Sequence, residues 1–463
     1  MEEQHSPWVK QISTWPLLAL VAVLSFSYHP LVSFGSVYGT HLDGSLLYVI
    51  VALAAIGSAP IVWKQRNTLK KSKSLLWLIG FTLFSLLSVA WSANPVRGVI
   101  TAAFSSLLVL LVCTVAINLP LMRHHQQSIY RLVIAGSTVS VLWALWQVYG
   151  DAFGVDSAFT LLTPAYESTV FGAARPTGFA LEPQFFASFL LIPFFWLSVR
   201  LVSDNLKNAP LHYFGITALS TILVLSLSRG ALFAAALGLI LLLVLHHPSL
   251  KRWLYLGATV FGGVVVAGVI TFSAATINQR DSISGYTSLA KSLNHLSLGI
   301  ISLPPEHRDV KVGTPKVTTP PKATSGYVTA STDSRLSMSA QAILLWTENP
   351  QHFLFGIGNG SFGTTLHAKD NRYPTNSIVN NYYLELVVET GLIGLSLFVA
   401  FFVGLLYKLF KARNTLLIVI ITSLLVQACF FSGNANIIHL WIIFGLALGV
   451  SLSQTKKPLH LVQ

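Results

Sequence analysis

Asn381–Tyr407 reads NYYLELVVETGLIGLSLFVAFFVGLLY. Two carboxylates stand near its beginning, and no charged residue follows them before its end. A transmembrane helix needs ~20 mostly apolar residues to cross ~30 Å of hydrocarbon. The stretch therefore reads as a membrane span that starts at an aqueous edge. Glu385 and Glu389, at i and i+4, share one helix face there.

Working outward, eleven further runs have the same character, at roughly 15–35, 44–63, 75–93, 98–118, 129–149, 183–203, 211–228, 230–247, 253–273, 414–432 and 434–453. Composition agrees: the chain is 53% hydrophobic and 10% charged, against about 25% charged in soluble domains. The expected fold is an all-α polytopic membrane protein with about 12 transmembrane helices. Its one long interruption, roughly Ala274 to Ile378, is a large extracytoplasmic loop between spans 9 and 10. The expected divisions are 1–273 for spans 1–9, 274–380 for the loop, and 381–463 for spans 10–12 and a tail.

The formal charge of +13 invites a nucleic-acid reading, but its distribution argues against one. With the N-terminus in the cytoplasm, 17 of the 29 basic residues fall in short cytoplasmic loops and tails, offset only by Glu2, Glu3 and Asp204. Short basic loops stay inside, and long loops translocate largely regardless of charge. The expected topology has both termini cytoplasmic and the long loop outside. Cys113 and Cys429 each lie in an apolar run, which gives no disulfide framework. Residues 15–35 lack a convincing small-residue cleavage site and read as a retained first span.

The long loop has two parts. Pro304 to Asp333, PPEHRDVKVGTPKVTTPPKATSGYVTASTD, is rich in Pro, Thr, Lys and Ser and reads as a mobile arm. Arg335 to Asn349, RLSMSAQAILLWTEN, has helical spacing, with Asp333 or Ser334 as the expected N-cap. A glycine-rich turn follows, GIGNGSFG at Gly356–Gly363.

Charged side chains at span ends are costly and usually functional. Arg175 and Glu182 lie in ARPTGFALEPQFFASFL, which leads into the sixth span. Arg229 occupies a short break between two apolar helices, LSLSRGALF, and Arg335 opens the helical part of the loop. With Glu385 and Glu389 they all face the outer side. Each has an ordinary alternative: snorkelling for Arg175, an interface anchor for Arg229, a solvated helix position for Arg335, a capping role for Glu182, structural pairing for the two glutamates. As a set, two or three arginines and one carboxylate on one face suit a phosphorylated lipid, because guanidinium matches phosphate geometry bidentately.

Five stretches in order resemble the O-antigen ligase and O-antigen polymerase family of bacterial envelope enzymes: WSANPVRG (Trp91–Gly98), RPTGFALEP (Arg175–Pro183), SLSRGA (Ser226–Ala231), the segment Arg335–Gly363 ending in FGIGNGSFG, and NNYYLELVVETGLIGL (Asn380–Leu395). The resemblance implies a glycosyltransferase of the bacterial inner membrane. It would move a glycan from an undecaprenyl diphosphate carrier to a glycan or lipid acceptor, by polymerisation or by ligation. It implies that Arg175, Arg229 and Arg335 hold the diphosphate, that Asn380, Asn381 and Glu385 contribute to substrate binding, and that a general base accepts the acceptor's proton. Where ligases of the family carry His before Asn, this chain has Asn380, and a neutral amide is no base. Glu182 and His367 are the candidates for that role, and the Glu-Pro after the Arg-x-x-Gly-Phe stretch resembles the polymerase branch. Neither a metal nor a cofactor is implied, and no acidic or His cluster has metal-ligand spacing. The rival is a flippase for the same carrier lipid. It is disfavoured because the span centres are almost free of charge.

Overall fold

The computed structural model describes residues 17–29, 31–37, 40–120, 125–203, 209–278, 283–301, 303–304, 327–433 and 437–453. Among the described residues, eight helices are long and apolar enough to cross a membrane, and three shorter apolar helices accompany them. The long ones include α1 (Leu46–Lys64), α2 (Lys73–Leu87), α3 (Pro95–Ile117), α4 (Gln126–Ala152) and α5 (Pro183–Val202). After α6 (Ala209–Leu225) come α7 (Arg229–His246) and α8 (Leu250–Ile277). The extramembrane helices are α9 (Gly285–Leu296), α10 (Tyr327–Trp346), α11 (Pro350–Phe355) and α12 (Phe362–Lys369). The 30-residue α13 (Tyr382–Lys411), α14 (Thr415–Gln427) and α15 (Ile438–Leu452) complete the bundle.

The sequence explains how these helices start. Asn94 accepts a hydrogen bond from Arg97 N–H, and Pro95 takes the first helical position of α3. Asn349–Pro350 repeats the device at α11, with Asn349 accepting from His352 N–H. Asn381 caps α13 through the N–H groups of Tyr383 and Leu384. A capping side chain satisfies one of the orphan donors at a helix start, and proline there gives up no hydrogen bond.

All of α5 except Gln184 and Arg200 is buried. A helix that is apolar all round belongs inside the bundle, and α5 packs against α6, α7 and α14. The peripheral helices do the opposite: Leu53, Trp63, Leu83, Leu142, Phe261 and Val269 stand outward and exposed. In water this much exposed apolar surface would drive association; against lipid it is the ordinary outer face of a spanning bundle.

Two expectations need correction. The run 15–35 is not one helix: residues 17–22 are helical, and Leu31–Val37 forms a strand, β1, paired antiparallel with β2 (Thr40–Ser45). The sequence His29–Pro30 interrupts the run, because the residue before proline is pushed out of the α region. The loop helix also begins earlier than Arg335, at Tyr327, so Asp333 and Ser334 are interior helical residues and not caps. The mobile arm expected at 304–333 loses its last seven residues to α10, and residues 305–326 lie outside the described ones.

Candidate functional site

The sequence motifs separate into two constructions. The first is a knot of backbone. Trp91 Nε1–H donates to the Gly356 carbonyl at 3.2 Å, and Ser92 Oγ donates to the Asn359 carbonyl at 3.0 Å. Asn359 Nδ2 reaches back to the Gly98 carbonyl. On the other side, Glu389 accepts from the N–H groups of Gly360 (2.9 Å) and Phe362 (3.2 Å). α13 kinks at Gly391, where φ is +64°, and a Cβ there would run into the Leu354 carbonyl. WSANPVRG, FGIGNGSFG and ETGLIGL thus form one fixed hinge between α3, α13 and the extramembrane helices. Replacing Glu389 by alanine orphans two buried N–H groups, at ~1–3 kcal/mol each. We expect Glu389→Ala to lower the melting temperature of the purified protein clearly, while Glu385→Ala, which orphans one backbone N–H, that of Gly433, lowers it less.

The second construction is a cavity of about 600 Å³. Six stretches distant in sequence line it: Tyr166 and Arg175 ahead of α5, Glu182 and Gln184 at the start of α5, Arg229 at the start of α7, His295 on α9, Arg335 on α10, and Gln427 with Phe430 at the end of α14. Arg175, Arg229, Arg335 and Glu182 therefore converge.

Their placement is specific. Arg335 Nη1 donates to the Phe430 carbonyl at 2.6 Å, and its Nη2 lies 3.4 Å from Gln184 Oε1. Gln184 Nε2 in turn donates to Glu182 Oε2, and Gln427 Nε2 donates to the Gln184 carbonyl at 2.9 Å. One amide therefore links the carboxylate to the arginine. Arg175 Nε donates to the Ser226 carbonyl, and its guanidinium lies over the Tyr166 ring at 5.5 Å and the Phe171 ring at 5.9 Å. Leu227, two residues before Arg229, has φ of +51°. A bulky residue in that region is strained, and here the strained turn sets Arg229 at the helix start.

Three arginines against one carboxylate give the cavity a net positive character suited to an anion. Burial pushes the Glu182 carboxyl above its ordinary range, while Arg335, the Gln184 hydrogen bond and Arg175 hold it down. Burial, together with Arg229 and Arg175, pushes His295 down to about 4, so its imidazole is neutral at physiological pH.

The remaining sequence candidates lie elsewhere. His367 is on α12, with Nδ1 2.7 Å from the Tyr373 carbonyl. Asn380 has φ of +61° ahead of α13, Asn381 is the α13 cap, and Glu385 accepts from Gly433 N–H. None of these four lines the cavity. His295, Gln184, Gln427 and Tyr166 do, and they are not among the candidates that the sequence presents. Gln184 carried a signal, two residues after Glu182; the others are single polar residues with no motif around them.

Comparison with known proteins adds the following. A family profile described as O-Antigen ligase matches residues 214–399. An O-antigen polymerase from Salmonella muenchen is 25% identical over 184 residues, which are 40% of this chain and 35% of that protein. The alignment thus spans about a third of the relative's length. The profile segment contains Arg229, His295, Arg335 and Glu389; Arg175 and Glu182 precede it.

Proposed function

We propose that this chain, a member of the O-antigen ligase and O-antigen polymerase family, is a membrane glycosyltransferase that takes its glycan from a polyprenyl diphosphate, undecaprenyl diphosphate in bacteria. The observation that carries the reading is the convergence of Arg175, Arg229 and Arg335 with Glu182 on one cavity. The guanidinium groups bind the diphosphate, partly in the bidentate manner that suits phosphate oxygens. Glu182 accepts the proton of the acceptor hydroxyl as its oxygen bonds to the anomeric carbon. The bond from that carbon to the diphosphate oxygen breaks, and the bond's electron pair stays on the carrier, where the arginines stabilise the added charge.

Polymerisation of carrier-linked repeats is the favoured branch. Asn380 stands where ligases of the family carry histidine, and the curated relative bears the name O-antigen polymerase. The test is to incubate the purified protein with a carrier-linked repeat. A ladder of products supports polymerisation, a single adduct on an added lipid acceptor supports ligation, and no transfer rejects the reading.

The reading puts the cavity on the outer side of the membrane and the short basic loops and the C-terminus in the cytoplasm, following the excess of basic residues in the short loops. Asn371 and Lys71 are both exposed. In intact cells, Asn371→Cys is expected to react with an impermeant maleimide and Lys71→Cys only after permeabilisation. The opposite pattern would invert the topology.

A further inference from the structure

The outer end of α4 carries two buried polar side chains outside the cavity, Gln147 and Asp151, one helical turn apart. Gln147 has no exposed surface. Its Nε2 donates to the Thr160 carbonyl (2.9 Å), to Thr177 Oγ1 (3.1 Å) and to the Gly178 carbonyl (3.1 Å). Its Oε1 accepts from the N–H groups of Thr177 (3.0 Å) and Gly178 (2.8 Å). An amide offers two N–H donors and one oxygen with two lone pairs, so this side chain is fully committed. Asp151 Oδ2 accepts from Ser168 N–H at 3.1 Å.

Between these two clamps runs the segment that delivers Arg175. Four residues past the second clamp comes Glu182. The Gly178 backbone has φ of +58°, and a Cβ there would meet the Phe186 ring at 2.6 Å. Only glycine fits that turn, and its backbone is fastened by the Gln147 amide. All five bonds of Gln147 go to the segment 160–178. Satisfying buried backbone would be reason enough for a polar side chain here. The particular loop that it satisfies gives it a functional consequence.

We propose that Gln147 is a positioning residue: by fastening Thr177 and Gly178 to α4, it sets Arg175 and Glu182 opposite Arg229 and Arg335. The proposal rests on the reading of the cavity as the carrier-diphosphate site. A displacement of about 1 Å caused far from the chemistry can cost on the order of 10²-fold.

Two variants in the full-length protein test it. Gln147→Leu removes every bond. Gln147→Glu keeps the acceptor oxygen but, when ionised, loses the donors; protonation returns one donor. Expected for Gln147→Leu is a loss of about 10²-fold in kcat/KM and faster amide exchange at Thr177 and Gly178. Expected for Gln147→Glu is a kcat/KM relative to wild type, normalised to the folded fraction at each pH, that climbs as pH is lowered; the normalisation removes the pH-dependent stability that a buried carboxylate also brings. A Gln147→Glu profile that superposes on wild type at near wild-type kcat/KM overturns the proposal. So does Gln147→Leu with fast exchange but undiminished transfer. If instead Arg175→Ala transfers glycan as well as wild type, the donor-site reading fails, and the exchange rates still decide whether Gln147 holds the Arg175 loop.

Discussion

Arg229→Ala is expected to lower glycan transfer by about 10²–10³-fold, the typical loss when one preorganised donor to a developing charge is removed. Arg229 opens α7 at the strained Leu227 turn and faces the same cavity as Arg175 and Arg335. Its backbone position is set by that turn, so its charge costs little reorganisation when, in the proposed reaction, negative charge builds on the leaving diphosphate. Arg229→Lys should recover little of the loss. An ammonium is a compact, strongly hydrated point charge and does not reproduce the planar fork. Arg175→Ala should behave similarly, with an added rise in KM, because the guanidinium also packs against Tyr166 and Phe171. The measurement is initial rate against carrier-linked donor at matched protein concentration. Near wild-type transfer by both Arg229→Ala and Arg229→Lys would remove the arginines from the mechanism.

The arginines were legible in the sequence because cost made them visible. A charge at the end of an apolar run needs a reason, and the alternation of sides along the spans put Arg175, Arg229 and Arg335 on one face. Their convergence was not legible, since residues 175 and 335 come to line one cavity only through tertiary packing. The glycine-rich turn was visible as a turn, but its partners were not. Trp91 and Gly356 bond across 265 positions, and nothing local announces it. Glu389 illustrates the ambiguity of a carboxylate at a span edge: its position suggested chemistry or pairing, and its oxygens hold loop N–H groups.

The misses have physical causes too. YVTASTD, at Tyr327–Asp333, is rich in residues whose side chains compete with the helical backbone, yet it is helical as the first part of α10. Tertiary context routinely overrides such weak preferences. β1 overlaps the end of a run, 15–35, whose hydropathy alone suggests a span. His295 and Gln147 are single polar residues among apolar ones, a pattern shared with many residues that only satisfy a neighbour.

Glu182→Gln is the second change expected to have a large effect, at least roughly a hundredfold in turnover, within the 10²–10⁴-fold typical of general acid–base catalysis. The amide keeps the shape and the contact to Gln184, so carrier binding should survive. The pH dependence supplies a sharper test. A base works only when ionised, so turnover falls as pH drops through the Glu182 pKa. Burial raises that pKa; Arg335, Gln184 and Arg175 oppose the rise. A bound diphosphate adds negative charge beside the carboxylate and offsets the arginines, which raises the pKa further. The acid limb of kcat, which reports the complex, is therefore expected at higher pH than the limb of kcat/KM, which reports the free enzyme. In Glu182→Gln both limbs should disappear. His367→Ala should change little, because His367 lies on α12 outside the cavity lining. The rival that the structure does bring to the cavity is His295, whose burial and arginine neighbours make it reluctant to take a proton. Full turnover in Glu182→Gln together with an inactive but folded His295→Gln would transfer the role of base to the histidine.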